Sequence, residues 1–354
     1  MIHLMIRKDP IKIIQTFIRR CNSIYNLLPN VQTNEGIISY KDINYFYNVE
    51  NKDKNDLSNK TRENIIASII NQTIPQGYFK YSNLWKTINN GVNDYLNQLA
   101  CQKNLIIDSV VCMPKAGRGN HYDFQITINK DHIFDIEFKF NASTVTECPQ
   151  FVSPMNPSKY LDINFEEFFY SNYLGLIAIH GKLELPDKSI YLQTIGNNNV
   201  DCMKPYKEKY DTDKGFNDYC KKIDKQAIKQ FISISNLNIA KLSRYLSETQ
   251  SNKIYMCYKN KVFYLDNVDP SIYTIKDTIQ KKNTNYICIT ENNMLIELRL
   301  RFKNGCGLQF PAFQIKRKFP NVKELKELCK AHNIVAPRLK KDMINILTRH
   351  SIMI

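Results

Sequence analysis

The apolar residues of the chain recur with two periods, and each period predicts one type of secondary structure. Helical spacing predicts a helix over residues 10–28 and a second helix from Tyr81, whose apolar face carries Leu84, Ile88, Val92, Tyr95 and Leu99. Between the two, residues 48–64 are charged and rich in asparagine, so we expect an exposed connection there.

Runs of strand type follow the second helix, over residues 105–113, 122–128 and 133–140. A helix over 161–171 and a buried strand over 173–180 come next. The order is helix, three strands, helix, strand. This order predicts an α/β fold with a mixed α+β sheet.

The last third of the chain combines one long helix, over 225–250, with hairpins. The predicted strand pairs are 253–258 with 262–268, 286–290 with 294–302, and that last strand with 308–318. Residues 321–350 predict two short amphipathic helices joined by a linker. We therefore divide the chain into an N-terminal helical region (1–80), a core (81–200), a helix-plus-hairpin region (201–318) and a terminal helix–linker–helix (319–354).

Composition and charge then limit the possible partners. The chain has 354 residues, 43% of them hydrophobic, which is enough for a sizeable core and a smaller second domain. It carries 49 Lys and Arg against 34 Asp and Glu, a net charge of +15. From Arg299 to the end of the chain there are 13 Lys and Arg against three acids, so about +10 of the charge lies there. A basic, patterned C-terminal region favours a polyanionic partner such as nucleic acid.

The cysteines and the N-terminal residues indicate the cellular compartment of the protein. The ten cysteines include no C-x-x-C pair and no Cys/His cluster at zinc spacing, which is typical of reduced thiols. The N-terminal MIHLMIRKDP lacks the features of a signal peptide, and the longest apolar run, 173–179, is too short to span a bilayer. We expect a soluble, intracellular protein without membrane contact.

Candidate chemistry is concentrated in residues 121–141, where Asp123 is followed by Glu137 and Lys139. Alternate side chains of a strand share a face, so Glu137 and Lys139 project together, away from Ile136, Phe138 and Phe140. A hairpin centred on Lys130 pairs positions that sum to 260 and places Asp123 opposite Glu137, whereas a sum of 262 places it opposite Lys139. An odd sum would turn Asp123 to the other face and exclude the site.

Two neighbouring carboxylates repel each other unless a cation lies between them, and Mg²⁺ prefers oxygen ligands of this kind, with Mn²⁺ as a substitute. Such an ion can polarise a phosphodiester and lower the pKa of a bound water, while Lys139 orients that water or stabilises the transition state.

Other polar residues near this segment compete for the same roles. Asp135 shares the face of Glu137 and is a genuine alternative to it, whereas Asp131 is expected in the turn. His121 and His180 are interpreted as structural hydrogen-bonding residues, and Trp85 as a core residue.

The spacing of Asp123 and Glu137-Phe138-Lys139 resembles the PD-(D/E)XK nuclease superfamily over roughly residues 81–195. The resemblance implies a restriction-endonuclease-like αβββαβ core, with metal ligation by Asp123, Glu137 and the backbone carbonyl of Phe138. Tyr122 stands where the written motif has proline. The family often has a further acid on the preceding helix, for which Asp94 is the candidate.

The two C-terminal helices resemble the SAP motif, a DNA-binding helix–linker–helix, through Leu325-Lys326, Leu328, the Asn333-Ile334 break and Lys340. Asn333 and Arg338 stand where that motif usually has glycine. Asn333 is expected to end the first helix in a left-handed conformation. Cations at the start of the second helix would contact phosphate, namely Arg338, Lys340 and Lys341.

Two neighbouring strands add a basic face, because their charged residues alternate with apolar ones. The candidate DNA-contacting residues there are Arg299, Arg301, Lys303, Gln314, Lys316 and Lys318. A solvated basic face is the competing interpretation of any one of them.

The leading hypothesis is a metal-dependent endonuclease that hydrolyses double-stranded DNA, as type II restriction enzymes do, with a homodimer as one way to cut both strands. The alternatives are a structure-specific repair or recombination nuclease and a non-catalytic SAP-type DNA-binding protein.

Overall fold

A computed structural model describes most of the chain. The described residues are 28–34, 36–48, 55–115, 120–148, 150–151, 157–194, 201–250, 252–292, 294–301, 312–318 and 322–350. The predicted helix over 10–28 lies outside them except for its last residue, and Lys303 also lies outside them.

The chain divides into two compact units, and unit 1 is assembled from residues 1–116, 122–143 and 254–266. Its elements are β1 (Val31–Thr33), β2 (Gly36–Ile38), α1 (Ile43–Tyr47), α2 (Asn55–Ile70), α3 (Gln76–Tyr81), α4 (Asn83–Gln102), β3 (Val110–Pro114), β4 (Phe124–Ile128), β5 (His132–Phe140), β7 (Ile254–Lys259) and β8 (Val262–Asn267).

Unit 2 contains residues 117–121, 144–253 and 267–354. Its elements are β6 (Gln150–Phe151), α5 (Phe165–Phe169), a π-helical turn (Tyr170–Leu174), α6 (Gly175–Gly181), α7 (Lys188–Thr194), α8 (Lys204–Thr212), α9 (Lys214–Ile234), α10 (Ile239–Gln250), β9 (Ile275–Lys282), β10 (Asn285–Thr290), β11 (Leu295–Arg301), β12 (Ala312–Arg317), α11 (Val322–Ala331) and α12 (Lys340–Arg349). The helices and mostly antiparallel sheets confirm the coarse prediction of a mixed α and β fold.

The sheet of unit 1 has the strand order β3-β4-β5-β7-β8. β3, β4 and β5 are antiparallel neighbours, whereas β7 runs parallel to β5. The apolar face of α4 is buried in the same core as one face of the sheet. Trp85 is fully buried, as predicted, and its indole N–H donates to the carbonyl of Tyr40 at 2.8 Å.

Two predicted elements are wrong, and the first is the buried strand over 173–180. These residues are helical, because buried Leu174, Ile177 and Ala178 follow helical spacing while Leu176 and Ile179 are exposed. A short apolar run does not distinguish a buried strand from a helix by periodicity alone. The fourth strand beside β5 is instead β7.

The second error is the exposed connection predicted over residues 48–64. Residues 55–64 begin the helix α2, and Arg62 is buried although it is charged. Its guanidinium donates to the carbonyls of Phe46, at 2.9 Å, and Asn48, at 2.6 Å, and lies 3.5 Å from the centre of the Phe140 ring. These contacts satisfy the buried charge and fix α2 against its neighbours.

Arg62→Lys should therefore destabilise unit 1, because a lysine ammonium cannot reproduce the planar donor set of the guanidinium. We expect a loss of about 2 kcal/mol in the free energy of unfolding, measured by urea denaturation. Lys80→Arg, at an exposed position of α3, is the control and should change little. Equal stability of Arg62→Lys and the wild-type protein would contradict this role.

The sheet of unit 2 has the strand order β6-β12-β11-β10-β9. The predicted pairs β10–β11 and β11–β12 are confirmed in this sheet, and β9 is an additional strand beside β10. The predicted pair β7–β8 is confirmed in the sheet of unit 1. The helix predicted over 225–250 is interrupted after Ile234 and resumes at Ile239. Both helices contact β9, and a hydrogen bond of 2.6 Å joins Ser235 to Tyr286.

No helix among the described residues is both long and apolar enough to cross a membrane.

Candidate active site

The register of the β4–β5 hairpin decides where Asp123 lies. Phe124 pairs with Ile136 at one end of the hairpin, and Ile128 pairs with His132 at the other. The two residue numbers of each pair add up to 260, which confirms the even register. The predicted alternation of core-facing and outward-facing side chains is also confirmed, since Phe124 and Ile136 are fully buried on the core face. Asp123 lies just beyond the paired stretch, where its N–H donates to the carbonyl of Ile136 at 2.9 Å.

Asp123, Glu137 and Lys139 come together at this end of the hairpin. The Asp123 carboxylate accepts the backbone N–H of Phe138 at 2.9 Å, which holds it beside β5. The Lys139 ammonium donates to the Glu137 carboxylate, and both side chains are 16% exposed. Limited exposure strengthens these charge interactions relative to water.

Glu63 of α2 is a fourth member of the group that sequence reasoning missed. The pKa of its carboxyl is raised to about 8, chiefly by burial and then by the negative charges of Asp123 and Glu137, while Lys139 acts in the opposite direction. A carboxyl with this pKa is mostly protonated at neutral pH. Protonation of Glu63 therefore lowers the negative charge that the three acids bring together beside Lys139.

Asp94, the acid expected on the preceding helix, stays a predicted ligand. It is exposed on α4, because it lies off the apolar face that this helix buries. Glu63 could have been found only if α2 had been recognised as a helix. The usable signal was the apolar run Ile65, Ile66, Ile69 and Ile70, which directly follows the charged segment.

Glu63→Gln should stabilise the protein at high pH. An acid with a higher pKa in the folded than in the unfolded chain binds more protons when folded, so stability falls as pH rises from about 4.5 to about 8. Glutamine removes this loss, and we expect a gain on the order of 2 kcal/mol at about pH 8 that disappears near about pH 4. Urea denaturation in EDTA at both pH values measures it.

The control for this experiment is Glu208→Gln, which replaces an exposed acid of α8. Its effect on stability should be small at both pH values. A Glu63→Gln variant whose stability differs from wild type by the same amount at both pH values would show that the Glu63 pKa is ordinary.

The competing polar residues have other partners. Asp135 accepts from the side-chain amide of Gln125 at 3.3 Å and also interacts with Tyr122. The His121 carbonyl accepts from Lys253, and its ring packs edge-on against Tyr245. His180 lies on α6 rather than at a strand end, and its ring stacks on Tyr219 at 3.7 Å.

We next consider whether Glu63, Asp123 and Glu137 are arranged to bind a metal ion. In the part of the chain that the structure describes, no three His, Cys, Asp or Glu side chains are arranged to hold one. Asp123 and Glu137 are instead engaged by Phe138 and Lys139. Their carboxylate oxygens are nevertheless the type of donor that a hard divalent cation prefers.

The basic face predicted on β11 and β12 is present in the described strands. Arg299 pairs with Gln314 and Glu297 with Lys316, so these side chains share one face, while Leu298 is buried on the other. Arg301 lies on the same face as Arg299 and donates to Gln314 at 3.5 Å. Lys318 follows the strand and is partly exposed.

The terminal helices α11 and α12 form a small core of their own, made of Leu325, Cys329, Met343 and Leu347. Asn333 adopts the left-handed conformation, with φ of 55°, as predicted. The N–H of Ile334 donates to the carbonyl of Cys329 and that of Asn333 to Lys330, which is a Schellman motif. Leu339, expected on the apolar face, is 63% exposed.

The candidate phosphate-contacting residues Arg338, Lys340 and Lys341 are all exposed at the start of α12.

The chain was also compared with known proteins. No protein-family model, curated protein or solved structure matches it. The functional proposal consequently depends on the chemistry of the described side chains.

Proposed function

We propose that unit 1 is a metal-dependent endonuclease that hydrolyses DNA phosphodiester bonds. The observation that carries the proposal is the meeting of Glu63, Asp123, Glu137 and Lys139 at one end of the β4–β5 hairpin. The order of helix α4, strands β3 to β5, helices and then β7 also supports it, since the resemblance to PD-(D/E)XK nucleases implies an αβββαβ core.

In this proposal Glu63, Asp123 and Glu137, with the Phe138 carbonyl, would hold Mg²⁺ or Mn²⁺. The ion supplies Lewis-acid activation of the phosphate and a bound water of lowered pKa. A cation held there would favour the ionised form of Glu63, because neighbouring carboxylates contribute to its raised pKa. Phe138 holds the Asp123 carboxylate in place through its N–H.

Lys139 has the role of a positioning and charge-stabilising group. Its ammonium contacts Glu137 and so lies among the carboxylates. From there it can orient the attacking water or stabilise negative charge that develops on the phosphate.

Lys139→Ala and Glu137→Gln should lower the rate of plasmid cleavage in Mg²⁺ by at least about 100-fold, because each removes a group that acts in the transition state. EDTA should abolish cleavage, and Mn²⁺ should restore it. Asp135→Asn is the matched control, since it removes an acid from the same strand face, and it should retain activity.

Cleavage by Lys139→Ala at the wild-type rate would contradict the assignment of the site. The products separate the alternative nucleases: discrete fragments from plasmid indicate site-specific cutting, whereas cleavage of branched substrates alone indicates a structure-specific enzyme. DNA binding without cleavage of either substrate would identify a non-catalytic DNA-binding protein.

A further inference from the structure

The solvent-exposed side of α9 in unit 2 carries an excess of positive charge. Five of its exposed residues are lysines and one is an acid, Asp218. The lysines are Lys214, Lys221, Lys222, Lys225 and Lys229. Four of them follow Asp218, and no exposed acid occurs from Lys221 to the end of the helix. The C-terminal half of α9 is therefore the more basic half.

The spacing of these lysines places their charges along the helix axis. Lys221, Lys225 and Lys229 recur every four residues, so they follow one side of α9, and Lys222 lies within one turn of Lys225. At about 1.5 Å per residue, the row from Lys221 to Lys229 is about 12 Å long. Over that length one strand of a DNA duplex presents about three or four phosphates.

The opposite side of α9 fixes the helix that carries the row. Ile223, Ala227 and Phe231 are buried there, and the helix contacts β9. At its C-terminal end, Ser235 forms a hydrogen bond of 2.6 Å with Tyr286 of β10. The lysines thus stand on a backbone that is already ordered, and binding a ligand costs little backbone entropy.

A groove of about 330 Å³ continues the row between α9 and the β9–β10 hairpin. Lys229 is part of its lining, and the described lining contains no acid. On the hairpin side, the Lys281 ammonium donates to Asn236 at 2.7 Å, and Asn236 donates to Asp162, so this charge is partly compensated. Lys282 alternates with Lys281 and projects to the other face of the sheet. Lys229 is therefore the cation of the groove best placed for an external anion.

We propose that the exposed lysines of the C-terminal half of α9 bind the sugar-phosphate backbone of duplex DNA, along the row and into the mouth of the groove. These are Lys221, Lys222, Lys225 and Lys229. The choice of DNA rests on the proposed nuclease function. The surface itself contains no residue assigned to catalysis and none of the cations predicted on β11, β12 or α12.

The residue types favour contact with phosphate over reading of the base sequence. Lysine binds phosphate as a point charge, without the planar donor set by which arginine contacts guanine. The sequence of α9 contains no arginine. Contacts of this kind position DNA and do not discriminate between sequences.

The surroundings of the row favour a duplex over a single strand. Proteins that bind single strands combine basic grooves with aromatic side chains that stack on bases. Among the described residues, neither the row nor the lining of the groove includes an aromatic ring. Tyr219, which precedes the row on α9, already stacks on His180, with 3.7 Å between the ring centres.

The test is the salt dependence of binding to a labelled duplex of about two helical turns, measured by fluorescence anisotropy in EDTA. Lys225→Gln and Lys229→Gln should each reduce the slope of log K against log salt by about 0.9. Each should also weaken binding by about fivefold to tenfold at about 0.1 M salt. Lys229→Arg keeps the charge and should bind as the wild-type protein does. A single strand of the same length should bind more weakly than the duplex.

Lys188→Gln on α7 is the matched control, because it removes the same charge from an exposed position outside the row and the lining of the groove. It should leave the slope unchanged. Wild-type slopes for Lys225→Gln and Lys229→Gln, or an equal reduction in the control, would overturn the proposal. Tighter binding of the single strand, or no binding of the duplex, would also overturn it.

This binding test and the cleavage test fail separately. EDTA prevents metal-dependent cleavage, so the slopes report contacts with DNA and not catalysis. Reduced slopes in Lys225→Gln and Lys229→Gln, together with a wild-type protein that does not cleave DNA in Mg²⁺, would support this surface and contradict the nuclease function.

Discussion

The register of the β4–β5 hairpin determines on which face of the sheet the polar residues of unit 1 lie. Because side chains alternate along a strand, a shift by one residue would exchange the core face for the polar face. The even register buries Phe124 and Ile136 and leaves Glu137 and Lys139 together on the opposite side. Asp123 then meets Phe138 at the end of the hairpin.

The second constraint is electrostatic. Three carboxyl groups meet with one lysine, and burial together with these charges gives Glu63 a pKa of about 8. Folding tolerates this arrangement because Glu63 can hold a proton and because Arg62, the adjacent residue, fixes α2 through the carbonyls of Phe46 and Asn48. Under the proposed function, a divalent cation would offset the repulsion between these carboxylates.

Sequence patterns predicted what depends on local periodicity and failed where tertiary contacts decide. The β4–β5 hairpin and the conformation of Asn333 were predicted because alternation and turn chemistry are local. Residues 173–180 were misassigned because a short apolar run fits either a strand or a helix. Glu63 was missed because α2 was not recognised as a helix, and the closeness of Glu63 to Asp123 and Glu137 depends on how that helix packs.

The central claim is that Glu63, Asp123, Glu137 and Lys139 share one electrostatic environment. The most direct measurement is the titration of the Glu63 carboxyl by ¹³C NMR in the metal-free protein, compared with a Glu137→Gln variant. The structure predicts a pKa of about 8 that falls in the variant, because one negative neighbour is removed. A pKa near 4.5 that is the same in both proteins would contradict the account.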